Sequence, residues 1–124
     1  MKKILAASGV ALALALGACA PATDDPSFGQ ISSEVAAGEA VLIDVRTAAE
    51  YDSGHIDGAQ LHELGWLAAG SYPDVAKDEP VYVYCQSGNR SAQATKLLVD
   101  AGFTDVTDLG GIGGVEGMGG EVVS

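Results

Sequence analysis

Cysteine is nearly absent from this chain: there are two in 124 residues, Cys19 and Cys85. That count excludes a disulfide scaffold and a cysteine-built zinc site, and two histidines far apart, His55 and His62, do not make a metal site either. Positive charge is also scarce, with 6 Lys and Arg against 17 Asp and Glu and a formal net charge of −11. Nucleic-acid binding needs clustered Lys and Arg, so it is excluded as a function class. The longest apolar run, Ile4 to Ala20, has 17 residues, at the bottom of the roughly 17–25 that a membrane span requires.

What the run does match is an export signal. Lys2 and Lys3 form a positive n-region, Ile4 to Leu16 an apolar h-region, and Gly17 and Ala18 supply small residues before Cys19. Leu16-Gly17-Ala18-Cys19 resembles the lipobox of bacterial lipoproteins. The resemblance implies a signal peptide over 1–18 and a diacylglyceryl group on Cys19, and hence attachment to a membrane through a lipid anchor. Ala20 after the cysteine resembles the pattern of outer-membrane sorting, which places the protein in the cell envelope, on the periplasmic side of the outer membrane in a Gram-negative cell. Removal of 1–18 leaves 106 residues, with four cationic side chains against 17 acidic ones, a net charge of −13. Such a surface repels small anions at long range, so an anionic substrate has to rely on the local field at its site.

Residues 19–29, with Pro21 and Pro26, read as a flexible tether, and 30–120 as a single domain. Within the domain, short helices and apolar strands alternate. A helix is expected over Ser32 to Ala37, capped by Ser32 or Ser33, and a buried strand over Val41 to Val45. A helical turn at Thr47 to Tyr51 and a turn at Gly54 to Ala59 follow, then a short strand at Gln60 to Leu61 and a helix at Leu64 to Ala69. Val81 to Tyr84 is the central strand, Ser91 to Ala101 a helix and Val106 to Leu109 a last strand. This order predicts an α/β fold, a small parallel sheet with helices on both faces. The tail from Gly110 to Gly120 is rich in glycine, which disfavours helix by ~1 kcal/mol per residue relative to Ala. It is expected to be loosely held and to leave one wall of the site open.

The central strand runs straight into Cys85-Gln86-Ser87-Gly88-Asn89-Arg90-Ser91. A cysteine at a strand–helix junction has loop amides and a helix dipole beside it, and both favour thiolate over thiol. Gly88 permits the torsions such a ring of amides needs, and Ser91 is placed to cap the helix. The bland alternative for Cys85 is a small buried hydrophobe, but the polar loop after it favours a reactive thiol. The loop has the form C-x4-R. Phosphatase cradles resemble C-x5-R, one residue longer, with room for a tetrahedral oxyanion; the shorter ring suits one extra sulfur atom.

Asp44-Val45-Arg46, Glu50-Tyr51, Gly54-His55-Ile56 with Gly58-Ala59, and Cys85 to Ser91 occur in an order and spacing that resemble a single-domain rhodanese, a sulfurtransferase. The resemblance covers about 31–109. It implies a rhodanese-like fold in which Cys85 is catalytic and carries sulfur as a persulfide. Gln86, Ser87, Gly88, Asn89, Arg90 and Ser91 then form the substrate-binding loop, and no cofactor or metal is needed. The implied activity moves sulfane sulfur from a small donor (thiosulfate, polysulfide or persulfide) to a thiol or cyanide acceptor. A non-catalytic carrier or sensing module on the same scaffold is the alternative, and a phosphatase or arsenate reductase relative a more distant one. No oligomeric partner is implied, so a monomer is expected.

Asp44, Arg46 and Glu50 are read as structural support. Arg46 and Glu50, four apart at a helical turn, are expected to pair, and Asp44 to accept bonds from loop amides. Arg90 is assigned mainly to loop support, His55 to a turn, and His62 to solvent. Two departures from the family pattern bear on activity. Val115 falls near the place where the family carries a closing tryptophan, and Arg90 is the loop's only cation, which puts strong thiosulfate binding in doubt.

Overall fold

The computed structural model describes residues 27–124. The expected signal over 1–18, the lipid site at Cys19 and most of the tether lie outside them. The tether ends sooner than expected, because a helix, α1, runs over Phe28–Ala36 with Ser27 as its N-cap. Ser27 Oγ accepts the Gln30 amide at 3.2 Å, a role that the sequence reading gave to Ser32 or Ser33. The earlier start puts Phe28, Ile31 and Val35 on one face, at the spacing that a helix lying on a sheet requires.

The strand β1 (Val41–Asp44), the two-residue strands β2 (His55–Ile56) and β3 (Gln60–Leu61), β4 (Val81–Cys85) and β5 (Val106–Gly111) follow, with β6 (Val122–Val123) last. The helices between them are α2 (Ala48–Ser53), α3 (Leu64–Ala68), α4 (Asn89–Asp100) and α5 (Ile112–Gly117). Four strands form one parallel sheet in the order β3-β1-β4-β5. A separate two-stranded antiparallel ribbon joins β2 to β6, so part of the expected turn at Gly54 to Ala59 is strand, and ordered structure continues past residue 120.

All five residues of β4 are buried, as expected of a parallel strand covered on both faces. Strand alternation sends Tyr82 and Tyr84 to one face, where they meet Phe28 and Ile31 of α1, Leu42, Ile56, and Ile112 and Val115 of α5. Val81, Val83 and Cys85 point to the other, among Leu67 of α3, Ala94 and Leu98 of α4, and Phe103. The period of two therefore assigns Cys85 to the layer that contains α4, the helix that starts just after it.

The glycine-rich tail is not loose. It forms α5, and Val115, near the place of the expected tryptophan, is completely buried. Its small neighbours close over it: a Cβ on Gly120 would stand 2.9 Å from Val115 Cγ1 and 3.0 Å from its carbonyl oxygen. Packing against the sheet thus outweighs low helix propensity. Val115→Ala is expected to destabilise the fold by about 2 kcal/mol and to lower the thermal midpoint by about 10 °C. A shift below about 2 °C in a thermal melt would mean that α5 is not packed as described.

Candidate active site

Strand β4 ends at Cys85 and α4 begins at Asn89, with Gly88 as its N-cap. Gly88 has φ +101°, a left-handed conformation that glycine adopts without strain. The turn aims the Gly88 N–H back at Cys85 Sγ, at 2.9 Å. Ser91 is not the cap that its sequence position suggested. It lies within the first turn, where its Oγ sits 3.4 Å from Sγ and also bonds the Gly88 carbonyl at 3.1 Å. A serine hydroxyl has one proton and two lone pairs. With a neutral thiol the proton goes to Gly88 O and the oxygen accepts from S–H; with a thiolate it can turn to Sγ.

The Cys85 side chain has no solvent exposure. Burial pushes the thiol up, but the Ser91 hydroxyl and the amides of Ser91, Gly88 and Ser87 more than offset this and leave it below its ordinary value. A buried sulfur and an acidic sulfur therefore coexist. The expected open wall is absent, and any partner reaches Sγ only when the loop yields.

Both ends of the loop are tied to the segment after β1. At one end Gln86 Oε1 accepts from Arg46 Nη1 at 3.0 Å. Arg46 is itself fixed: its Nη2 donates to Asp44 Oδ2 at 2.7 Å and to the Gly54 carbonyl at 2.6 Å, and its Nε spans both Asp44 oxygens. Asp44 is fully buried and Arg46 nearly so, at 4% exposure, and the Arg46 amide also donates to Asp44 Oδ1. At the other end Arg90 makes a two-bond ion pair with Glu50, at 2.7 and 2.9 Å. Glu50 belongs to a capping box with Thr47, which fixes the first turn of α2.

The expected Arg46–Glu50 pair is therefore replaced by two others, Asp44–Arg46 and Glu50–Arg90. The helical spacing was correct for neighbours on one helix, but Arg46 precedes the Thr47 cap and so lies off the helix. Asp44 does bond a backbone amide, as expected, and Arg90 supports the loop through a carboxylate.

Gln86 was assigned to the loop, but its tie to Arg46 spans 40 positions, and no periodicity carries such a contact. The roles of Gly110 and Gly111 were missed altogether. A register shift in the β4–β5 pairing sets Gly110 beside Tyr84 and Gly111 beside Cys85. A Cβ on Gly111 would lie 2.7 Å from the Gln86 carbonyl oxygen, so only glycine lets β5 support the loop this closely. Asn89 and Ser87 stay at the surface. His55 bonds the Tyr51 carbonyl through Nδ1 and stacks on the Tyr51 ring, contacts that stay within the α2–β2 corner. His62 is half-buried and bonds the Ser71 carbonyl, where solvent exposure was expected. Among the described residues no group of His, Cys, Asp or Glu could hold a metal.

Hydrogen bonds from Arg90 and from Thr47 lower the Glu50 carboxyl to about 2. A carboxyl whose folded value is lowered takes up its proton first in the unfolded chain. Its contribution to stability is therefore present above about 4.5 and lost as pH falls toward about 2. In denaturant titrations, Glu50→Gln is expected to be less stable than the parent at pH 6 by about 1 kcal/mol or less, since the pair is partly exposed. The difference should disappear near pH 2; one that persists there would contradict the assigned pair.

Residues 27–117 match the family model of the rhodanese-like domain. Over 73 residues the chain is 38% identical to the thiosulfate sulfurtransferase PspE of Escherichia coli (strain K12), covering 56% of this chain and 68% of PspE. It is also 41% identical over 71 residues to the probable adenylyltransferase/sulfurtransferase MoeZ of Mycobacterium tuberculosis (strain ATCC 25618 / H37Rv), covering 56% of this chain and 18% of MoeZ. Among solved structures, the Rhodanese_3-like domain of the Alr3790 protein from Anabaena sp. superposes with a TM-score of 0.62 at 31% identity, covering 68% of this chain and 99% of that one. With its motifs, its parallel sheet and its cysteine loop all in agreement with that family, the chain belongs to the rhodanese-like domain family.

Proposed function

We propose that the protein is a sulfurtransferase that carries sulfane sulfur on Cys85. Sulfurtransferase activity in general is supported by the family and by relatives such as PspE. The observation that carries the finer reading is the Gly88 amide directed at Cys85 Sγ at 2.9 Å, at the head of a 12-residue helix. In the proposed reaction the Cys85 thiolate attacks the outer sulfur of a donor, the donor's S–S bond breaks, and its electron pair leaves with the donor's remaining group. The persulfide Cys85–S–S⁻ that results is an anion one atom longer, which the same amides and the helix dipole would stabilise. An acceptor thiolate then attacks the terminal sulfur and Cys85 thiolate returns. No oxidant or reductant is consumed.

A second reading, a sulfur carrier or sensor without useful turnover, draws support from the complete burial of Cys85. A site that closes over its sulfur suits storage as well as transfer. The tetrahedral-oxyanion chemistry of phosphatases is less favoured, because the C-x4-R ring is one residue short of the cradle which that chemistry uses. Attachment to a membrane through Cys19, with the domain in the cell envelope, belongs to the same proposal and rests on Leu16-Gly17-Ala18-Cys19.

Intact-mass analysis of protein isolated from its native membrane tests both parts together. The expected result is an acyl-bearing Cys19 at the new N-terminus and, after exposure to a sulfane-sulfur donor, one added sulfur atom on Cys85. Cys85→Ser is expected to lose that sulfur and to lower transfer to an acceptor thiol by at least about a thousandfold, as expected for loss of a covalent nucleophile. Transfer by Cys85→Ser at the parent rate would overturn the assignment, and stable loading without transfer would favour the carrier reading.

A further inference from the structure

The Ser91 hydroxyl lies within bonding distance of two acceptors, Cys85 Sγ at 3.4 Å and the Gly88 carbonyl at 3.1 Å. It has a single proton, so it serves one of them at a time. The Gly88 carbonyl does not depend on that proton, because it also accepts the Ala92 amide at 3.2 Å. The proton therefore follows the charge on Sγ. A thiolate attracts it, since charge-assisted hydrogen bonds are roughly twice as strong as neutral ones. A neutral divalent sulfur is a weak acceptor and leaves it with Gly88.

Sγ passes between these two conditions whenever sulfur is gained or lost. In the empty, ionised site it is a thiolate. In the persulfide it is bonded to Cβ and to the terminal sulfur and carries no charge, which has moved one atom outward. Ser91 is fully buried in the first turn of α4, whereas Ser87 lies at the surface and Gly88 partly so. An acceptor has to reach the terminal sulfur, which puts that atom on the loop side, away from Ser91. The loop amides can then serve either anion, while the Ser91 hydroxyl serves the empty site alone.

Resting on the sulfurtransferase reading, we propose that Ser91 is a further catalytic residue, whose hydroxyl donates to Cys85 Sγ as sulfur departs and so favours release over retention. In that step an acceptor thiolate R–S⁻ attacks the terminal sulfur of Cys85–S–S⁻. A bond forms between those two atoms, the Sγ–S bond breaks, and its electron pair stays on Sγ, giving R–S–S⁻ and the Cys85 thiolate. The hydroxyl meets the charge that appears on Sγ. It works against loading for the same reason, because an attacking thiolate has to give up that bond. Ser91 thereby sets how tightly the site keeps sulfur, the property that separates a transferase from a carrier.

Ser91→Ala tests this role, since alanine takes the same helix position without a polar atom and favours helix. The substitution changes no charge and leaves the Asp44–Arg46 and Glu50–Arg90 pairs in place, so long-range repulsion is the same in variant and parent. Loading by 2-hydroxyethyl persulfide and unloading by 2-mercaptoethanol are followed by intact mass in single turnovers, at a pH where Cys85 is fully ionised in both proteins. A hydrogen bond to a charged group corresponds to about tenfold, and roughly half of that effect, on a logarithmic scale, is felt in the transition state of thiolate exchange. Unloading is expected to slow by about threefold and loading to quicken by about threefold, which shifts the equilibrium by about tenfold toward the loaded protein. Thr95→Val removes the hydroxyl one turn along α4, which bonds the Ser91 carbonyl, and should leave both rates at the parent values. An unchanged equilibrium in Ser91→Ala, or a shift toward the empty protein, would overturn the role of Ser91 while leaving sulfur transfer intact. Failure of the parent itself to load Cys85 would refute sulfur transfer, and the role of Ser91 with it.

Discussion

Burial ordinarily makes a thiol less acidic, because a thiolate loses its hydration. Cys85 departs from that rule because water has been replaced by fixed dipoles. The Gly88 amide at 2.9 Å, the Ser91 hydroxyl at 3.4 Å, and the Ser87 and Ser91 amides all act on one sulfur atom. These donors come from a loop only a few residues long, so their positions are set by the backbone and cost no reorganisation when charge appears. Chemistry at this site depends on that substitution of peptide for solvent. A persulfide anion has the same requirement as a thiolate, one atom further out.

A ring of amides keeps its shape only if the loop cannot drift, and the fold holds it from three sides. Gln86 is tied to Arg46, and through it to the buried Asp44 at the end of β1. Arg90 is tied to Glu50, which Thr47 holds in its capping box. Gly111 presses against the Gln86 carbonyl from β5. Removing one member of a buried ion pair leaves the other charge uncompensated, which makes the Asp44–Arg46 pair costly to disturb. Each cation that braces the loop is also paired with a carboxylate, Arg46 with Asp44 and Arg90 with Glu50, and Arg90 lies close enough to Cys85 to feel its charge.

Much of this was legible in the sequence, for identifiable reasons. The apolar run before Cys85 marks a buried strand, and the polar C-x4-R loop followed by a helical pattern locates the site, because both signals are local and periodic. Contacts between distant segments were not legible. Arg46 and Glu50 are correctly spaced for a helical pair, yet the Thr47 cap excludes Arg46 from the helix and each finds a partner elsewhere. Ser91 read as a cap because serine favours that position, but Gly88 takes it, and the serine hydroxyl is left beside the sulfur. The glycine-rich tail read as loose because helix propensity is a weak term; burial of Ile112 and Val115 outweighs it. In the same tail, the absence of a side chain at Gly111 is what admits the cysteine loop.

The most direct test of the central claim is a pH titration of the Cys85 thiolate in the folded protein, followed by its ultraviolet absorbance and checked against the rate of alkylation. The account predicts that ionisation is complete at a lower pH than in the same chain unfolded in urea. The alkylation rate should follow that same curve, scaled down by the time the loop spends closed. Ionisation at or above the pH found in the unfolded chain would show that burial outweighs the amides, and would contradict the account.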